Sequence, residues 1–240
     1  MHIHDFALIL IAFFSELVGT LSGFGSSTFF VPVATMLESF QFALAITAIL
    51  HCFGNVSRIF IFKDFFQLKV FLRLALPSIL LTGVGALLTT QVQVSLLQRS
   101  LGVALILVSG ALFFGKKLIQ RLPSRAALVL SGISGFLTGF IGTGGAIRGM
   151  ALTALQIEKN AFVSLSASID LGGDFIRLII YLWNNFMDWS QWFYIPLLGI
   201  AAYLGSRIGK NVLSGLKQEH FERIVALFVL LSGIILVLKK

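Results

Sequence analysis

Two stretches decide the fold, GTLSGFGSSTFFVP at residues 19–32 and GFLTGFIGTGGAIRG at residues 135–149. In each, an apolar helical run stops at clustered glycines and resumes as a piece of about three turns. Glycine enters left-handed backbone conformations at no steric cost, so such a cluster is where a helix can end and the chain can turn. Glycines in apolar helices also serve as close-packing points, and one such cluster would carry little weight. Two copies at a fixed spacing carry more. Sliding the chain on itself by 119 residues pairs Gly23 with Gly142, Gly25 with Gly144, Gly54 with Gly173, Arg58 with Arg177, Ile61 with Ile180 and Pro77 with Pro196, without a gap.

Outward from these breaks lie six apolar segments, 42–62, 70–90, 96–114, 161–183, 192–208 and 221–238. A bilayer core takes about 20 helical residues, so each of the six is read as a crossing. The interrupted segments, 6–37 and 126–155, read either as a re-entrant hairpin or as one broken crossing helix. Loop charges arbitrate, because Lys and Arg accumulate on the cytoplasmic side. If both pairs re-enter, Lys63, Lys69, Arg73, Lys116, Lys117, Arg121, Arg125, Lys159, Lys210, Lys217 and Arg223 share one side against Arg99, Lys239 and Lys240, a split of 11 to 3. If both cross, the split weakens to 9 against 5. Re-entry is the expectation, with the terminal lysines as its misfit. Trp183, Trp189, Trp192 and Tyr194, grouped around Asn184 and Asn185, fit an aromatic belt at the outer interface. The predicted architecture is an all-α membrane protein of two repeats, residues 1–120 and 121–240, each one re-entrant or broken helix pair plus three transmembrane helices. An odd number of crossings per copy turns the second copy upside down, and together the copies form one transport domain.

Composition supports this class and excludes others. With 57% hydrophobic and 12% charged residues and a mean hydropathy of +0.96, the chain is not water-soluble. Long apolar runs, not alternating ten-residue strands, point to helices and away from a porin-like barrel. Cys52 is the only cysteine, which rules out an intramolecular disulfide framework. The net charge of +8 suits inward loops facing anionic lipid better than nucleic acid. Met1 to Asp5 lacks a basic region, so no cleavable signal is expected. No HExxH, CxxC, Walker loop or hydrolase set occurs, and His2 with His4 at the terminus makes a poor metal site; neither an enzyme, a cofactor nor a metal centre is expected.

Inverted duplication with broken elements at matching positions is the sequence pattern of a secondary transporter, whose binding site lies near the midplane between the breaks. The short second helices would present the N–H groups of Ser26, Ser27 and Thr28 and of Gly144, Gly145 and Ala146 to that site, and helix N-termini attract anions. Hydroxyls of Ser22, Ser26, Ser27 and Thr143 add donors, while Gly23, Gly25 and Gly142 let an anion approach the main chain. Arg148 either grips the anion in a bidentate manner or pairs with Asp170 or Asp174. His51, Asn55 and Arg58 stand at i, i+4, i+7 on one helical face, and Asp170, Asp174 and Arg177 occupy the equivalent places. These six are the coupling or gating candidates. Arg177 is spaced to pair with Asp174, which leaves Asp170 as the carboxyl able to carry a proton or to join a buried ion network. His51 reads as a proton carrier or as a packing residue. Glu16 lacks a partner in sequence and is expected to face Arg58.

On these glycine-rich openings, 19–32 and 135–149, the sequence resembles the sulfite exporter TauE/SafE family over nearly its whole length. The resemblance implies transport of a small anion, a sulfur oxyanion or organosulfonate, across the bacterial cytoplasmic membrane by a multi-pass carrier without an ATPase partner. Two places depart from the family pattern: Ser26 and Ser27 stand where glycine is usual, and Arg148 with Gly149 stand where a proline-containing apolar stretch is typical. With the cell interior negative, each departing negative charge gains about 2.3 kcal/mol per 100 mV, which favours export. Protons as a coupled partner and a homo-oligomer stay open. The rival readings are a cation carrier or channel using Asp170 and Asp174, and a non-transporting subunit of a membrane complex.

Overall fold

The computed structural model describes residues 3–22, 25–114, 122–213 and 218–238, and every regular element within them is helical. The first half holds α1 (Ile3–Ser22), α2 (Ser27–Leu37), α3 (Phe40–Ile61), α4 (Leu68–Thr89) and α5 (Val94–Phe114). The second holds α6 (Ala126–Ile141), α7 (Gly145–Ala154), α8 (Lys159–Trp183), α9 (Tyr194–Leu213) and α10 (Gln218–Leu238). The expected crossings fall on α3, α4, α5, α8, α9 and α10. The largest displacement is at α9, which starts at 194 instead of 192 and runs to 213 instead of 208.

Among the described residues, four helical stretches are long and apolar enough to cross a bilayer: His4–Ser22, Phe40–Ile61, Leu68–Thr89 and Val94–Ala111. Thus the first arm of the first broken pair is itself of crossing length. α8 is longer, at 25 residues, but Asp170, Asp174 and Arg177 interrupt its apolar character. Burial is reversed relative to a protein in water. Phe6 and Phe14 of α1 and Leu72, Leu76 and Leu80 of α4 are exposed, while Glu16, Arg58, Arg148, Asp174 and Arg177 are buried. Lipid tails solvate the former; the latter must find partners inside.

At each glycine break the chain doubles back on itself. Gly25 and Gly142 take φ of 85° and 83°, a region that side chains disfavour. In the first half the main chain of Ser26 then lies against Gly19, too close for a Cβ there. In the second, Ser134 Oγ donates to the Gly144 carbonyl at 2.8 Å, and Gly144 presses on the Ser134 backbone. α2 and α7, of 11 and 10 residues, therefore return alongside α1 and α6.

The first helix of each half packs on the fourth helix of the other. α4 packs on α6, and α9 packs on α1. Both pairs run parallel and meet backbone to backbone: Gly135 sits against the Ser78 carbonyl and Gly139 against the Thr82 carbonyl, while Gly205 faces the Phe13 carbonyl and Gly209 the Leu17 carbonyl. Two glycines four apart on one helix of each pair allow this approach, so these glycines do serve packing. α5 and α10 pack antiparallel, with Gly102 against Gly233 and Ser109 Oγ donating to the Ala226 carbonyl at 2.7 Å. α3 and α8 pack on each other in the middle.

One end of the bundle gathers basic residues. Lys210 Nζ donates to the Ile61 carbonyl at 3.5 Å, and Arg73 Nη2 donates to the Ser124 carbonyl at 3.4 Å. Lys63 and Arg125 are two and one residues from those carbonyls in sequence. Lys116, Lys117, Arg121, Lys217, Lys239 and Lys240 of the loop-charge count lie outside the described residues, as do the side chains of Arg223 and Trp189. Trp183 and Trp192 are exposed beside the Asn184–Asn185 turn, whereas Tyr194 is buried and its hydroxyl donates to Asp5 Oδ1 at 2.5 Å.

Candidate functional site

The buried charges of the described residues concentrate where α3 and α8 cross. Asn55 Nδ2 donates to Asp174 Oδ2 at 2.6 Å, joining two positions 119 residues apart. Each position is thus bonded to its own counterpart in the other half. Arg177 Nε donates to Asp174 Oδ1 at 2.8 Å, and its Nη1 donates to the carbonyls of Thr138 (3.2 Å) and Gly142 (3.3 Å). A guanidinium there caps the C-terminus of α6, whose last carbonyls lack helical partners. Arg58 Nη1 donates to Glu16 Oε2 at 3.0 Å and its Nη2 to Asn55 Oδ1 at 2.7 Å. Glu16 also accepts from Ser26 Oγ and, at 3.4 Å, from Ser206 Oγ. Its carboxylate fits only because Gly54 has no side chain; a Cβ there would overlap it.

Arg148, from α7, grips Asp170 through Nη1 and Nη2, and its Nε donates to Ser166 Oγ at 3.0 Å. Of the two roles read for Arg148, pairing with Asp170 is the one formed in this state. The pair faces Gly25. A methyl group placed on Gly25 would lie 3.7 Å from His51 Cε1, 3.9 Å from Asp170 Oδ2 and 4.0 Å from Arg148 Nη2. Three polar side chains from three helices therefore converge on one point above the first glycine break. The adjoining gap is too narrow to hold a water molecule, and Gly19, Gly25, Asn55, Arg58, Ser166 and Asp170 border it.

The two breaks meet directly. Ser27 Oγ donates to Thr143 Oγ1 at 3.3 Å, and the hydroxyls of Thr28 and Thr143 lie 3.2 Å apart. In α2 the first main-chain N–H groups bonded back into the helix are those of Phe29 and Phe30, both to the Ser26 carbonyl; in α7 they are those of Ile147 and Arg148, both to Gly144. The N–H groups of Ser27, Thr28, Gly145 and Ala146 precede them, as a helix start requires. Beyond this contact lies a second, mostly apolar gap of about 240 Å³, with room for about one water, between Thr28, Leu105, Leu137, Thr143 and Ile147.

A family model described as sulfite exporter TauE/SafE matches residues 8–236, nearly the whole chain. The chain belongs to this family. That description is of a family of sulfite exporters, which are membrane transporters. No curated protein and no solved structure matches the chain significantly.

Within this TauE/SafE chain the expected site residues separate into two groups. Gly25, Asn55, Arg58 and Asp170 border the gap, Arg148 and Asp174 bond to Asp170 and Asn55, and Ser26, His51 and Arg177 stand one contact further out, against Glu16 and Asp174. Ser27, Thr28, Thr143 and Gly145 form the junction of the two tips, with Gly142 and Gly144 shaping the turn. The Ser22 hydroxyl donates to the carbonyl of Gly19, which borders the gap, at 3.3 Å. Gly23 lies outside the described residues. Sequence reasoning missed Ser134 and Ser166, which flank Arg148, and Tyr181, whose hydroxyl donates to the Gly139 carbonyl at 2.5 Å. Ser166 stood one turn before Asp170 on the same face, and that spacing could have found it.

Proposed function

We propose that this TauE/SafE member carries a small sulfur oxyanion or organosulfonate out across the cytoplasmic membrane of a bacterium, by alternating access between two inverted halves, residues 1–120 and 121–240. Parallel pairing of α1 with α9 and of α4 with α6, antiparallel pairing of α5 with α10, and the Asn55–Asp174 bond between counterparts all support an axis relating the halves in the membrane plane. α2 and α7 act as re-entrant arms whose tips meet near that axis.

The observation that carries the reading is the convergence on Gly25. There, the buried Arg148 reaches within about 4 Å of the point over Gly25, just before α2 begins, and a carboxylate, Asp170, occupies that arginine. Asp170 stands where an oxyanion of similar shape would bind, so the substrate replaces it on Arg148. Guanidinium binds carboxylates and tetrahedral or pyramidal oxyanions through the same two-pronged geometry. A cation site is the poorer fit, because Asp170 and Asp174 are already engaged by Arg148, Arg177 and Asn55 and offer no open carboxylate.

The experiment is flux into proteoliposomes challenged in turn with sulfite, thiosulfate, sulfoacetate and sulfate. At least one of these crosses faster than in protein-free vesicles, and Arg148→Ala removes the acceleration. Movement of a divalent metal with none of the anions would overturn the assignment.

A further inference from the structure

The buried core is electrically balanced without substrate. Among the described residues its ions are three arginines, Arg58, Arg148 and Arg177, and three carboxylates, Glu16, Asp170 and Asp174. Adding a monoanion leaves one uncompensated negative charge in a site that excludes water, which is costly in a low dielectric. It also evicts Asp170 from Arg148, so a second anion needs a counter-ion at the same moment.

His51 is the group placed to supply it. It is buried, with only 2% of its surface exposed, and neither ring nitrogen makes a hydrogen bond. Nδ1 lies 3.3 Å from Asp174 Oδ2 but out of line for bonding. Buried imidazoles are normally bonded at one nitrogen at least, so a side chain left bare here is available for a partner absent from this state. Its Cε1 and Asp170 Oδ2 both lie within 4 Å of the same point over Gly25, hence within reach of each other after a rotamer change. The other charged groups facing it are Asp174 and Arg177 from α8, Arg148 from α7, Glu16 from α1 and Arg58 one face along α3. α9 contributes the neutral Ser206, its Arg207 and Lys210 being exposed, and α2 contributes hydroxyls only.

Resting on the anion reading above, we infer that the site takes a monoanion together with one proton: the anion displaces Asp170 from Arg148, and Asp170 passes to His51, which has accepted the proton on its imidazole. No bond to the anion forms or breaks; the proton moves from water to an imidazole nitrogen on one side and returns to water on the other. The loaded and empty cores then carry the same zero net charge. The membrane potential neither drives nor opposes the step, and export follows the gradients of the anion and of protons alone.

Methanesulfonate tests this cleanly, because it is a monoanion with no titratable proton near neutral pH. In proteoliposomes of the full chain, a gradient of one pH unit should accumulate methanesulfonate about tenfold on the alkaline side, that is, inside vesicles whose lumen is alkaline. A potassium diffusion potential should leave that accumulation unchanged. In His51→Gln the pH-driven accumulation is lost and whatever flux remains responds to voltage. Wild-type flux that follows voltage and ignores pH overturns the inference, as does transport of sulfite without methanesulfonate, and the anion reading survives either result. If no sulfur oxyanion or sulfonate crosses at all, the anion reading itself fails. The wild-type measurements decide the matter even if the variant does not fold.

Discussion

The two halves place an arginine at the same point and satisfy it by different means. Arg58 reaches across to Glu16 on α1 and uses Asn55 on its own helix; Arg177 takes Asp174 from its own helix and caps the end of α6. The tips differ in the same spirit. The first break offers hydroxyls and Gly25, with a carboxylate, Glu16, behind Ser26; the second brings Arg148. Positions 119 residues apart carry the same arginine and give it different partners. On the proposed reading, one half supplies the hydroxyl-lined face of the site and the other its cationic face.

Removing one member of either ion pair should have the largest effect, because it strands a buried charge. Glu16→Ala and Asp174→Ala are each expected to cost about 3–5 kcal/mol, read as a drop in thermal unfolding in detergent. Replacing Glu16 and Arg58 together by apolar residues should recover part of the loss, since no ion is left alone. A loss below about 1 kcal/mol for Glu16→Ala would show the first-half pair to be solvated, and the contrast drawn here would collapse.

The counterpart glycines Gly54 and Gly173 separate the halves next. A methyl on Gly54 overlaps the Glu16 carboxylate, whereas one on Gly173 lies 2.9 Å from the Thr82 hydroxyl. Gly54→Ala should therefore cost about 1–3 kcal/mol and Gly173→Ala less, by the same melting assay. Equal costs would mean that Glu16 moves aside freely.

Smallest in stability is the left-handed pair. Gly25→Ala and Gly142→Ala each carry backbone strain of about 1–2 kcal/mol, and Gly142→Ala also presses on Leu44. The Gly25 methyl meets only ordinary contacts, yet it fills the point where three polar groups converge. It should leave melting closer to wild type than Gly142→Ala while cutting sulfite flux more steeply.

Much of the helical framework was legible in the sequence because hydrophobic length and glycine position report it directly. Arg58 and Arg177, 119 residues apart in the sequence, are both buried, on helices α3 and α8 that pack together. Finer features were not readable by that offset. Among the described glycines the left-handed ones are Gly25 and Gly142, which are not counterparts at that offset, since alignment sees residue type and not φ. Pairing of Arg148 with Asp170 was one of two open alternatives, because a sequence separation of 22 residues, from α7 to α8, leaves the distance undetermined. Glu16 was legible as an orphan in need of a cation, and the structure supplies Arg58. Ser22 was grouped with the donors by proximity to the break, but it lies on the last turn of α1 and bonds back into it.

The convergence of an arginine and two glycine-broken tips on one anion is tested most directly by sulfite binding to the purified protein, titrated calorimetrically for wild type, Arg148→Ala and Asp170→Asn. Arg148→Ala should weaken binding by at least about tenfold, the worth of a charge-assisted contact, while Asp170→Asn, which frees the guanidinium, binds at least as tightly as wild type. Unchanged affinity in Arg148→Ala with loss in Asp170→Asn would contradict it.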